Sequence, residues 1–180
     1  MRLDFSAVAS IAACVGVMVA VVGLIIGRRR ARFSLGVSVL MALDNQWNNE
    51  RFTGLRRAAA TKYLRKAEGS EVSDIIDFFA TVGLLLRKGV LNREMAWATF
   101  FIPLNYYWLA AQDVIARERR NDLTVWRSAC YLHERLSAEE VRQRSCSKEQ
   151  TVPSEQDLRD FLDGEAAMSG SDGGAGSTPA

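Results

Sequence analysis

The sequence predicts an all-α protein: one N-terminal transmembrane helix, a small cytoplasmic bundle of four or five helices, and a flexible C-terminal tail. Three observations carry this. Residues 5–26 form an unbroken apolar run without a charge. The stretches beyond it repeat apolar residues at i, i+3, i+4 and i+7, the helical period. No stretch alternates apolar and polar residues over the length of a strand. With 180 residues, 48% hydrophobic and 24% charged, the chain can bury one core and not comfortably two, which excludes a large multidomain enzyme.

The apolar run, FSAVASIAACVGVMVAVVGLII, would measure about 33 Å as a helix, enough to cross a bilayer core. It ends at Gly27 and the cluster Arg28, Arg29, Arg30 and Arg32, whereas the other flank holds Arg2 and the amino terminus against Asp4. The positive-inside rule then leaves the N-terminus outside and the C-terminus in the cytoplasm, as a single-pass protein. A cleaved signal peptide fits less well, because its apolar region is shorter and its basic charge comes first. Ile11-Ala12-Ala13-Cys14 looks like a lipoprotein processing box but falls midway through the run. Small residues at Ala9, Ala13, Gly16, Ala20, Gly23 and Gly27 share one helix face, on which two such helices can approach closely. A segment so rich in small residues also produces such a stripe by chance.

The formal net charge of +2 conceals a polarised chain. Residues 28–66 carry ten basic and two acidic side chains, and residues 67–180 carry twelve basic and eighteen acidic. The basic half lies next to the membrane, where anionic headgroups attract each Lys or Arg by about 1 kcal/mol. Arg28, Arg29, Arg30, Arg32, Arg56, Arg57, Lys62 and Arg65 are therefore the expected lipid-headgroup contacts, with a merely solvated helix face as the alternative for the more distal ones. No zinc finger or other nucleic-acid-binding pattern accompanies the basic stretch, so no nucleic-acid partner is expected.

The elements follow in order. Phe33 to Trp47 reads as a helix leaving the membrane, interrupted by Asn45, Asn48 and Asn49. Asn49 is placed to cap the next helix, Glu50 to Lys66, whose apolar face is Phe52, Leu55, Ala59 and Tyr63. After a turn at Glu68-Gly69-Ser70, residues 70–88 carry the strongest core pattern: Ile75, Phe78, Phe79, Val82, Leu85 and Leu86, stopped by Gly89. Asn92 caps a helix running through Met95, Trp97, Phe100, Leu104 and Ile115 to Arg120, which Pro103 should kink or divide. Asp122 is expected to cap the next piece. Ser137-Ala138-Glu139-Glu140 reads as a capping box for one or two further turns. Ser154-Glu155-Gln156-Asp157 reads as another box, opening a short acidic helix with Leu158, Phe161 and Leu162 that Gly164 ends. The remainder, from Ala167, is Gly/Ser-rich and expected to be disordered. The organisation is thus 1–4 flank, 5–27 membrane helix, 28–32 basic cluster, 33–145 helical domain, and 146–180 tail with a helix near 154–163.

Three blocks in this order are Gln46-Trp47-Asn48-Asn49-Glu50-Arg51-Phe52 with Arg56-Arg57-Ala58-Ala59, then Asp77 to Leu85 with Arg87-Lys88-Gly89, then Tyr106-Tyr107-Trp108. In these blocks the chain resembles the bacterial domain of unknown function (DUF) 4760 family over roughly residues 33–145. The resemblance implies an anchored, all-helical bacterial protein, and brings no activity and no catalytic residue; the location expected is the cell inner membrane.

Recognisable chemistry is absent from the sequence. It has no phosphate loop, dinucleotide fingerprint, HExxH, CxxC or G-x-S-x-G, so no catalytic residue, metal ligand or cofactor is assigned. His133, the one histidine, is expected to be structural, and Asp74, Asp77, Glu139 and Glu140 to be charges near helix N-termini. Cys130 is expected in the core. The aromatic group Trp97, Phe100, Phe101, Tyr106, Tyr107 and Trp108 reads either as bundle core or as a pocket. Leu158, Phe161 and Leu162 read as a partner-binding helix, or as one folding back on the basic helix 51–66. The function expected is a non-enzymatic interaction or regulatory module at the cytoplasmic face, partnered by anionic lipid and by a protein. The alternative is a homo-oligomeric, pore-forming membrane assembly joined through the small-residue face.

Overall fold

The structure, a computed structural model, describes residues 23, 24, 27, 30, 33–66 and 70–168. Among them are seven α-helices, one short 3-10 turn and no strand. Helix α1 covers 33–48, and positions 23, 24, 27 and 30 are helical as well. The others are α2 (Glu50–Leu64), α3 (Glu71–Arg87), α4 (Arg93–Ala110), α5 (Gln112–Asn121), α6 (Arg127–Arg144) and α7 (Glu155–Ala167), with the 3-10 turn at Glu149–Thr151. No helix of the described residues is long and apolar enough to cross a membrane. The predicted span 5–27 lies outside the described residues except for Gly23, Leu24 and Gly27, as do most of the Glu68-Gly69-Ser70 turn and the tail from 169.

Local chemistry sets most boundaries. Asn49 Oδ1 accepts from the Phe52 amide at 2.7 Å and starts α2; Asn92 Oδ1 accepts from the Glu94 and Met95 amides and starts α4. At the end of α3, Gly89 takes φ +70° while its amide and that of Val90 reach back to Leu86 and Leu85, a Schellman closure that satisfies the last carbonyls. Ser154 and Asp157 make the expected capping box of α7.

Four expectations about elements are corrected. Pro103 does not divide its helix: α4 runs through it to Ala110, and the break falls at Ala111. Asp122 does not cap α6, because its carboxylate is occupied by the Thr124 amide and hydroxyl, and α6 instead follows Trp126 in the left-handed region at φ 49°. Ser137 opens no new helix; it is buried in mid-α6, where the amide that a box would use already bonds within the helix. Gly164 does not end α7, which continues to Ala167 because Glu165 is held inside the molecule.

The helices pack around one core. The most extensive pairing is α3 with α6, followed by α2 with α7 and α4 with α6. At the first crossing Gly83 faces α6 so closely that a Cβ there would lie 2.0 Å from the Ser128 carbonyl oxygen. Trp47, brought in by α1, sits among Phe52, Phe78 and Phe79 at 5.2–5.3 Å between ring centroids, with Tyr107 edge-on at 6.0 Å. Ile75, Ile76, Phe100, Leu104, Leu132 and Leu136 are fully buried around them. Where the sequence reading closes the domain at 145 and assigns 146–180 to a tail, the structure packs α7 onto α2 with Leu158 and Leu162 buried in the same core.

Candidate functional site

The most unusual chemistry in the molecule is a buried ion pair. Arg56 on α2 projects over the Trp47 ring, its Cζ 4.6 Å from the ring centroid, and its Nη1 donates to Glu165 Oε1 of α7 at 2.8 Å. The second carboxylate oxygen, Oε2, accepts from the Tyr107 hydroxyl of α4 at 3.0 Å. Both charged side chains are almost wholly enclosed, at 6% and 5% exposure. Burial raises the Glu165 carboxyl above its ordinary range, while the guanidinium and the phenol oppose that rise. Burial, together with the neighbouring carboxylate, also pushes the Tyr107 phenol up, so it stays a donor. A charge removed from water persists only with such partners. Trp47, Arg56 and Tyr107 each belong to one of the three blocks picked out in the sequence.

A second polar group holds the far end of α6. Glu139 is fully buried and pairs with Arg93 at 2.8 Å and with Arg142, while Gln143 donates to it at 2.8 Å; these partners hold its carboxyl below the usual range. Beside it Glu140 accepts from the Trp97 indole at 2.7 Å and pairs with Arg144 at 2.6 Å. Third, His133 stacks on Trp108 with ring centroids 4.5 Å apart, its Nε2 3.4 Å from Asn105 Oδ1, and Asn105 donates to the Thr151 carbonyl at 2.6 Å. Burial, with a smaller contribution from Lys148, lowers the His133 pKa to about 4.

Of the predicted lipid contacts, Arg30 and Arg65 are exposed, Arg57 is half-buried, and Lys62 pairs with Glu71. Arg56 is the correction: its guanidinium is enclosed against Glu165 and is not available to a headgroup. Arg28, Arg29 and Arg32, and the packing positions Ala9, Ala13, Gly16 and Ala20, lie outside the described residues. Gly23 and Gly27 are exposed, with nothing within 4 Å of a Cβ built there. Leu158, Phe161 and Leu162 take the second of their two sequence readings: α7 folds back on α2, Leu158 and Leu162 are buried, and Phe161 stacks on Tyr106 at 4.4 Å. The aromatic group divides, with Phe100, Phe101 and Tyr107 buried and Trp97, Tyr106 and Trp108 partly covered.

Sequence reasoning missed Glu165, Tyr107 as its hydroxyl donor, Asn105, and the Glu139 cluster. The signal available was polar side chains standing in phase with apolar ones. Glu165 follows Leu158, Phe161 and Leu162 at i+7, and Asn105 sits within an aromatic face. Cys130 is partly buried, and Arg119 Nη1 donates to its sulfur at 2.9 Å. Burial nonetheless raises that thiol. A cleft of about 640 Å³ lies between α2, the start of α3 and the α4–α5 joint, lined by Lys62, Tyr63, Glu71, Val114 and Arg117. Among the described residues no group of three His, Cys, Asp or Glu side chains is placed to hold a metal ion.

The chain matches the family described as Domain of unknown function (DUF4760) over residues 10–136, and it belongs to that family. No curated protein and no solved structure matches it. The matched stretch contains α2 to α5 and most of α6, and ends before α7.

Proposed function

We propose that this family member is a single-pass, membrane-anchored helical module that carries no catalysis and serves as an interaction or regulatory domain at the cytoplasmic face of the bacterial inner membrane. The observation that carries the reading is the two-sided character of the helix that follows the apolar run. Phe33, Leu35 and Met41 of α1 stand 56–62% exposed, large apolar side chains of the kind that lie comfortably against acyl chains or a partner helix. At its other end the same stem is locked into the domain by buried Leu43 and Trp47. Arg30 and Arg65 are exposed on the basic half of the chain, as contact with anionic lipid requires.

The test is fractionation of the full-length chain. It should sediment with membranes and resist carbonate and high salt, and a reporter after Ala180 should be active in the cytoplasm. A freely soluble full-length chain, or a reporter active only outside, overturns the anchoring. Equal binding of the domain to neutral and anionic vesicles at low salt overturns the lipid contact.

A second reading is a homo-oligomer joined through the stem. Gly23 and Gly27 favour it, because both are helical positions with open space where a side chain would be. Gly23→Leu combined with Gly16→Leu should abolish oligomers in membranes, and unchanged oligomers remove this reading.

A further inference from the structure

The face of α2 and α4 that α7 covers has the form of a reading groove, with α7 as its present occupant. On its α2 side Ala60, one helical turn on from Arg56, is fully buried and leaves room for a close approach. Its wall is aromatic. Phe161 stacks on Tyr106 with an interplanar angle of 8° and meets Tyr107 edge-on at 5.6 Å. At one end stand two donors fixed on different helices, Arg56 Nη1 and the Tyr107 hydroxyl, each bonded to a different oxygen of the Glu165 carboxylate. An enclosed guanidinium without a counter-charge is strongly unfavourable, so whatever fills this groove must bring a carboxylate to that point.

The occupant is built as a self-contained ligand. Its N-terminus is closed by its own capping box, so α7 needs no help from the bundle to start. Leu158, Phe161, Leu162 and Glu165 make a single stripe at i, i+3, i+4 and i+7, the anchor pattern of a helix laid in a groove. Its exposed face is net acidic, carrying Glu155, Asp157, Asp160 and Asp163 with Arg159. The family match includes both walls of the groove and ends before α7.

We infer that the α2–α4 groove is a docking site for an acidic amphipathic helix of a partner protein, with apolar side chains at i, i+3 and i+4 and a glutamate at i+7, and that α7 fills this site in cis until displaced. The inference deepens the interaction reading above and rests on it for the existence of a partner. Residues 145–154 act as the tether, joined to α4 by the Asn105 bond to the Thr151 carbonyl.

The experiment uses the full chain with a specific protease site inserted after Ser147. After cleavage, a fluorescent peptide of residues 154–168 is added in excess. It should enter with saturable binding and release the resident segment, while the helical circular dichroism of the cut protein is retained. The same peptide carrying Glu165→Gln should bind roughly 10- to 100-fold more weakly, the scale of a lost charge-assisted bond pair. Loss of helical signal on cleavage, refusal to exchange, or equal binding of the Glu165→Gln peptide would each show α7 to be fixed core and overturn the inference. A dimer of uncut chains that the peptide dissolves would overturn the partner assignment in favour of exchange between copies. The stem is untouched by the cut, so a failure of anchoring appears separately, as soluble uncut protein whose groove still exchanges peptide.

Discussion

Gly83 of α3 and Ser128 of α6 meet backbone to backbone: a Cβ on Gly83 would lie 2.0 Å from the Ser128 carbonyl oxygen and 2.7 Å from its carbonyl carbon. It lies on the most extensive helix pairing among the described residues, and a backbone carbonyl cannot swing aside as a long side chain can.

Gly83→Ala should therefore destabilise the protein by about 2–3 kcal/mol, overpacking outweighing the gain in helix propensity. Gly54→Ala in α2, where a Cβ meets nothing within 4 Å, should instead stabilise by up to about 1 kcal/mol. Urea midpoints of the two variants should move in opposite directions; a shared direction contradicts the packing at Gly83.

Arg56→Ala leaves Glu165 enclosed without its counter-charge and should cost about 3–5 kcal/mol. The double variant Arg56→Met with Glu165→Met replaces both charges by apolar side chains and should be more stable than Arg56→Met alone. A double variant as destabilised as the sum of the two singles would mean the groups do not interact.

His133 should titrate near pH 4, well below its ordinary 6.5. Between those values the unfolded chain binds a proton that the native chain refuses, so stability falls as pH falls from 6.5 toward 4. The full loss is at most about 3 kcal/mol. With one histidine in the chain, a single imidazole resonance reports the value directly. A midpoint at 6.5, or a His133→Gln variant with an unchanged pH dependence of unfolding, contradicts its enclosure against Trp108 and Asn105.

Asn92→Ala removes the acceptor for two amides at the start of α4 and should cost about 1 kcal/mol, with Asn92→Asp retaining most of the cap. Thermal unfolding of the pair decides it. Equal losses for the two variants would show that the side chain acts other than as an acceptor.

The starts of α2, α4 and α7 were legible because a cap is local: Asn49, Asn92 and Ser154 each bond to amides within three residues. The Ser137 box and the Asp122 cap had the same residue grammar and failed. Leu132, Leu136 and Glu139 bury α6 as one continuous helix across the first, and Thr124 takes the carboxylate of the second. Pro103 is carried inside α4 for a related reason: Phe100, Phe101, Leu104 and Tyr107 are buried on both sides of it and hold the helix together.

By itself the sequence determined the helical class, the apolar run at residues 5–26, the basic-to-acidic polarity along the chain, and the inward face of α3, because all of these follow from a 3.6-residue period and from neighbours a few residues apart. Only the tertiary structure decided that Arg56 is enclosed rather than solvated, that α7 is docked, and that the acidic pair 139–140 is internal. Whether a charge stays in water depends on a partner that the period cannot reveal. For Arg56 that partner is a carboxylate 109 positions away, brought to 2.8 Å by the packing of α7 on α2.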